Sequence, residues 1–522
     1  MQIPAIPYTI LILAPFTGES EEVWSDSPLE FDAEEPDHLL ATLHPSVFVS
    51  LPASLCPAGG LELRFSGRKD FTPDGLIVSQ PFLSNLLEAD RYLADAVKKN
   101  LPADEIKQGL ARWPDLPPVN FYRTAKPKTK TGSPQSEALS SLLSMVSLPD
   151  TGGQKTDRDA EGYTAIAEQI LAHIFNDPSF MKMEAAWQGL KLLAGECSAD
   201  NDLKLMIVPV GQDTFEDTLD SILPHLVRNP PALLLVDLPF GGSLRSVNGL
   251  AKLADFGQLL LVPSLAWITA EFFQVGGWDD VDRLSFLPHH LEQQSFAKWK
   301  KVRQSQATRW LCLTCNRFLN RYPYGPDNRP RHIEFTETGR PWLAPVWAAA
   351  KLICQRVNRS KWPTGTSAWQ TNKLEGLGLD MTDPAHPLPI EKLFTETRLE
   401  QLERCGIVAL ISKKGSDSVI LASNTMVSLD ISLDYQSLIS LVTRFTLWCK
   451  DNFAPDIKGE ELAAALQAAW RRFLDHQQTR YEDMLINVEV AGSAEQTTVR
   501  LEWLPSRQIL PSGRELVLEF AW

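Results

Sequence analysis

Three carboxylates stand close together in GGWDDVDR: Asp279, Asp280 and Asp282. Such a cluster could hold a divalent cation or supply an acid/base pair. An oxygen cage takes about six to eight ligands, more than this segment shows, and acids at a helix start account for the same residues. Cys312 and Cys315 form one CxxC in WLCLTCNRF. A structural zinc site needs a second pair of ligands, and His289, His290 and His332 lack the paired spacing, so these cysteines read as residues of a buried strand. His289 and His290 are adjacent, and adjacent rings on a helix diverge. No GxxxxGK(S/T) phosphate loop, GxGxxG, GxSxG elbow or HExxH occurs in the chain. The expectation is a chain without catalytic residues, metal or cofactor. A soluble metal-dependent enzyme built on the three aspartates is the distant alternative.

The elements that would position any site divide the chain into four parts. Residues 1–118 read as a small α/β unit: an apolar strand at Tyr8 to Leu13, two short alternating runs in SVFVSLP and LELRFSG, and helical spacing of Leu83, Leu86, Leu87 and Leu93. Residues 119–160 read as a linker, with Arg123, Lys126, Lys128 and Lys130 set among Pro, Thr, Gly and Ser. Within it Leu139, Leu142, Leu143 and Val146 fall at i, i+3, i+4 and i+7, the apolar face of one short helix. That helix either docks into a groove of another protein or packs on its own chain. Residues 161–480 read as a larger α/β unit. Asp177 caps a helix that Pro178 begins, and apolar runs at 203–210 and 231–240 of strand length flank a helical pattern. Residues 481–522 turn to period two, with Val499, Leu501 and Trp503 on one face and Leu516, Leu518, Phe520 and Trp522 on another. A terminal strand with an apolar face must find a neighbour, in its own domain or in another subunit. The fold class expected is α/β, mixed sheets covered by helices.

Composition narrows the partners. Lys plus Arg number 50 and Asp plus Glu 65 in 522 residues, a net charge of −15 that argues against nucleic acid and anionic lipid. The most apolar stretch, 256–273, is interrupted by Gln258, Pro263 and Glu271, so no membrane insertion is expected. ILILAP at 10–15 has no Lys or Arg before it and reads as a buried strand rather than a leader. Seven scattered cysteines are poor material for a disulfide framework and fit a reducing cytoplasm.

Several longer motifs resemble one family. FNDPSFMKMEAAWQGLKLL, with Trp187 and Gly189, and WKKVRQSQATRWLCLTCNRFLNRYPYG, with Trp299, Arg303, Arg317, Phe318, Arg321, Pro323, Tyr324 and Gly325, resemble the large subunit of the type VI secretion contractile sheath (TssC, or VipB). LFTETRLEQLERCGIVALISKKGSDSVILAS is similar to a third segment of that family. YTILILAPFTG and LELRFSGRKDFTPDGLI resemble the small sheath subunit (TssB, or VipA), so both parts stand in one chain. The region between the two parts is shorter than the small subunit's usual helical tail, and residues 341–380 match poorly. The resemblance implies a contractile tail-sheath-like fold and a protein that polymerises with itself around an inner tube protein, then contracts to eject it. Implied partners are a baseplate, a separate small sheath subunit and a ClpV-type AAA+ unfoldase gripping Leu139, Leu142, Leu143 and Val146. It also implies exchange of terminal strands between subunits, here Ile10, Leu11, Ile12 and Leu13 with Leu516, Leu518, Phe520 and Trp522. A cap or baseplate component forming a finite oligomer is the alternative within the same machinery.

Overall fold

The structure, a computed structural model, describes residues 6–18, 22–113, 115–118, 162–197, 202–382, 385, 387–477, 479, 484–491 and 496–522. The linker reading at 119–160 and the helix carrying Leu139, Leu142, Leu143 and Val146 lie outside the described residues.

The first strand, β1 (Tyr8–Ala14), is buried at every residue except Thr9. A continuous apolar run of this kind belongs to a strand covered on both faces and flanked on both edges. β2 (Leu29–Glu30) is short, and β3 (Ser46–Ser50) and β4 (Gly60–Arg64) form an antiparallel hairpin. Further strands are β5 (Leu203–Pro209), β6 (Leu233–Phe240), β7 (Ser264–Ile268), β8 (Leu311–Cys315), β9 (Phe318–Leu319), β10 (Trp342–Leu343), β11 (Ile407–Ile411) and β12 (Ile420–Leu421). The main sheet has eight strands in the order β12-β11-β8-β7-β6-β1-β5-β2. The pairings from β5 through β1, β6, β7 and β8 to β11 are parallel, and the outer strands β2 and β12 are antiparallel. This is the mixed α/β architecture expected from the alternation of strand and helix patterns.

Period-two alternation sends successive β1 residues into two cores. Ile10 and Ile12 face helices Tyr163–Phe175, Pro178–Ala194, Pro345–Ser360 and Leu433–Asn452, while Leu11 and Leu13 face Phe215–Leu226 and Leu244–Leu260. The hairpin β3–β4 and helix Pro81–Lys98 pack into the first of these cores, so the described apolar residues of the N-terminal segment share it with the helices that follow. The sequence expectation that Ile10, Leu11, Ile12 and Leu13 pair with a neighbouring subunit is corrected here. β1 bonds β5 from Tyr8↔Leu203 to Ala14↔Pro209 and β6 from Ile10↔Leu233 to Leu13↔Val236, so both edges are occupied within the same chain.

Local signals set the helices that cover the sheet. Asp177 accepts hydrogen bonds from the backbone N–H groups of Ser179 and Phe180, both at 3.0 Å, and Pro178 opens the helix Pro178–Ala194. Helix Pro345–Ser360, also opened by its proline, lies in the segment that matched no motif and is buried on almost every side. The two helices cross at Gly189, where a Cβ would stand 2.2 Å from the Trp347 ring.

Candidate assembly surface

The C-terminal segment forms its own antiparallel sheet of β13 (Met484–Ala491), β14 (Gln496–Trp503) and β15 (Leu516–Ala521), with β14 in the middle. Val499, Leu501 and Trp503 are buried, and the Trp503 ring lies 5.1 Å from Trp470 of helix Gly459–His476 and 5.7 Å from Trp362. The strand β15 is anchored at its start and loosened toward its end. Tyr435 Oη donates to the Glu515 carbonyl at 3.0 Å, and Leu516 is 1% exposed. Leu518, Phe520 and Trp522 continue the same face but are only half-buried, Trp522 against Phe453 at 6.0 Å. On its outer edge β15 has no strand partner among the described residues, and neither has the outer edge of β13. Of the two terminal strands singled out in the sequence, only β15 therefore offers open backbone donors and acceptors.

The motif residues are gathered by ion pairs and rings into the sheet's support rather than into one pocket. Arg321 forks onto Glu184 at 2.9 and 3.0 Å and onto Glu337 at 2.7 and 3.0 Å, and its guanidinium lies 4.6 Å from the Tyr324 ring centroid. Burial works against the charge of Arg321, but the two carboxylates outweigh it and hold the guanidinium protonated above its ordinary range. Glu337 also accepts from the Tyr324 N–H at 2.9 Å, which fixes the turn carrying Pro323 and Gly325. Trp187 Nε1 donates to the Phe16 carbonyl at 2.9 Å, tying the helix Pro178–Ala194 to the segment after β1. Arg317 is bidentate on Glu391 at 2.7 and 3.0 Å, Phe318 is fully buried, and Trp299 packs edge-on against Phe272 at 5.0 Å. Arg303 is half-buried at the end of helix Ala297–Arg303 on the opposite side of the sheet. Glu184 and Glu337 complete the Arg321 network and were not singled out in the sequence, although Glu184 sits inside the first motif.

The residues with the most obvious chemical potential are engaged structurally. Lys392 Nζ reaches Asp279 at 2.6 Å and Asp282 at 2.8 Å, Arg398 lies 3.7 Å from Asp282, and Asp280 pairs with Arg283 at 2.9 Å. The hydrogen bond from Lys392 holds Asp279 below its usual carboxylate range. No group of three or more His, Cys, Asp or Glu placed to hold a metal ion occurs among the described residues. Cys312 and Cys315 lie buried on β8, and burial pushes the Cys312 thiol up to about 12. His290 stands 2.9 Å from the Phe273 carbonyl through Nε2 and packs on Phe296.

Comparison with known proteins agrees with the motifs. Residues 228–428 match the family model described as VipB: EvpB/VC_A0108, tail sheath N-terminal domain. Over 331 residues the chain is 24% identical to the type VI secretion system sheath protein TssC1 of Pseudomonas aeruginosa, a match covering 56% of this chain and 66% of that protein, just under two thirds of its length. Among solved structures it is similar to the helical sheath of the anti-feeding prophage in the contracted state, with 13% identity and a TM-score of 0.37 over 66% of this chain and 79% of that one. It is likewise similar to the baseplate structure of the same prophage, with 12% identity and a TM-score of 0.36 over 66% and 79%. The sheath tail protein Lin1278 from Listeria innocua gives 9% identity and a TM-score of 0.32 over 59% of each chain. The matched range runs through strands β6 to β12 and contains the Trp299 to Gly325 motif, so over residues 228–428 the chain is similar to the tail sheath N-terminal domain of the VipB family.

Proposed function

We propose that this protein is a structural subunit of a contractile type VI secretion-like sheath, one that polymerises with itself around an inner tube and shortens to eject it. The observation that carries this reading is β15: an edge strand pinned at Leu516, with Leu518, Phe520 and Trp522 only half covered and one backbone edge without a strand partner among the described residues. A strand from a neighbouring copy would satisfy that edge, and the same contact repeated from copy to copy generates an open helical assembly. The sheath domain at 228–428 and the similarity to TssC1 support the same conclusion. No helix among the described residues is long and apolar enough to cross a membrane, and the reading places the assembly in the cytoplasm with a baseplate and an inner tube as partners. A ClpV-type unfoldase and a separate small sheath subunit complete the proposed partners. Leu142→Asp with Leu143→Asp should abolish unfoldase binding while leaving assembly intact; unchanged binding would remove the unfoldase contact from the proposal.

Negative-stain electron microscopy of the full-length chain, beside a chain lacking residues 518–522, tests the main reading. Hollow tubes that disappear on truncation, from a shortened chain that still unfolds in a cooperative thermal transition, are expected. Uniform small rings from both chains would replace the sheath with a finite cap or baseplate component.

A further inference from the structure

The carboxyl ends of β5, β1, β6, β7 and β8 open into a cavity of about 620 Å³. The chain passes from β1 to β5 on one side and then places β6 on the other, so the strand order reverses between β1 and β6, and the cavity lies over that reversal. Open α/β sheets bind ligands at such a point, because neighbouring connections leave in opposite directions and part there. The volume falls within the ~300–1,000 Å³ usual for small-molecule sites.

The charges lining the cavity identify the ligand chemistry. Glu184 is held by Arg321, Asp213 pairs with Arg245, and Lys182, which also lines the cavity, is exposed and engaged. Arg317 and Arg340 are engaged by Glu391 and Asp380. Asp237 differs. It lines the cavity at 7% exposure and has no cationic partner among the described residues. Its Oδ1 accepts from Trp267 Nε1 at 3.1 Å and its Oδ2 from Trp347 Nε1 at 2.6 Å. Each oxygen takes one neutral N–H and keeps acceptor capacity, so the buried charge is oriented but not neutralised. Trp267 and Trp342 also line the cavity. Aromatic rings beside a carboxylate favour an organic cation over a neutral or anionic group.

We propose that this cavity binds a primary ammonium group on a short apolar stem, with its N–H groups on Asp237 and its stem against Trp267 and Trp342. The ammonium belongs either to a free amine or to a lysine side chain of a partner protein; both offer the same chemistry to the site. Occupancy needs neither β15 nor a polymer, so it stands apart from the sheath reading.

Titration calorimetry on the full-length chain tests this with three probes of similar reach: cadaverine, Nα-acetyl-lysine methylamide and the uncharged pentanol. Saturable binding of an ammonium probe is expected, at least tenfold tighter than pentanol, and Asp237→Asn should weaken it tenfold or more. Trp342→Ala leaves Asp237 and its two indole donors in place and should weaken binding roughly three- to thirtyfold. Preference for cadaverine identifies a free amine, and preference for the lysine derivative identifies a partner side chain. Absence of saturable binding by both ammonium probes, or pentanol binding as tightly as they do, would overturn the proposal. If Asp237→Asn fails to fold, unchanged affinity in Trp342→Ala overturns it as well.

Discussion

At the scale of single residues, the interior of this protein turns on how a few buried charges are compensated. Arg321 is matched by two carboxylates, whereas Asp237 is met only by indole N–H groups, and burial pushes its carboxyl up to about 6 from an ordinary 3.8. The folded state therefore holds this proton more readily than the unfolded chain. The resulting stabilisation is complete below about pH 4 and is lost as pH rises through about 6, an effect on the order of 3 kcal/mol. Urea unfolding of the wild type and Asp237→Asn across pH 4 to 7 should show this component in the difference between the two; parallel profiles would mean that Asp237 titrates normally. The residues of these networks are visible in the sequence, but their partners are not. Glu184 and Arg321 fall inside separate motifs 137 positions apart, and Glu337 belongs to none. Asp237 does carry a legible signal, as the only charge in the apolar run LLLVDLPF.

At the scale of elements, close approach of two helices is the sharpest constraint. Alanine at Gly189 would gain about 1 kcal/mol in helix propensity. Its Cβ would meet the ring of Trp347, which is fully buried and held by its bond to Asp237, and overpacking of this kind costs about 1–3 kcal/mol. The clash should prevail, and Gly189→Ala should lower the melting temperature; an increase would show that Trp347 can move aside. Where apolar spacing and a cap coincide, the elements are legible: the Asp177–Pro178 start, the pair Leu433–Asn452 and Gly459–His476, and the alternation of β14 and β15 all stand where residue types place them. Helix Pro345–Ser360 escaped that reading because Pro345 to Cys354 are buried all round, Lys351 included, while its polar residues gather in the last turns, so burial does not follow a single apolar stripe. Strand order escaped it too, since parallel neighbours share no turn whose residues could announce the pairing.

At the scale of the whole molecule, the position of β1 ties the N-terminal segment to the sheet strands that follow it. Residues 162–522 without β1 would leave a gap between β5 and β6, with unpaired backbone on both sides and the apolar faces of Ile10 to Leu13 missing. Expressed alone, that fragment should be insoluble; co-expressed with residues 1–118 as a second chain, it should purify as a stable equimolar pair. A soluble fragment 162–522 with a single cooperative unfolding transition would contradict this. The placement also has a consequence for biosynthesis. Tyr8 and its partner Leu203 are about two hundred residues apart, so at ~5–20 residues per second the ribosome releases YTILILA on the order of ten to forty seconds before anything that can pair with it. Throughout that interval this apolar strand is an unprotected aggregation hazard, and the nascent chain becomes a client for holding chaperones long before it can close its own sheet.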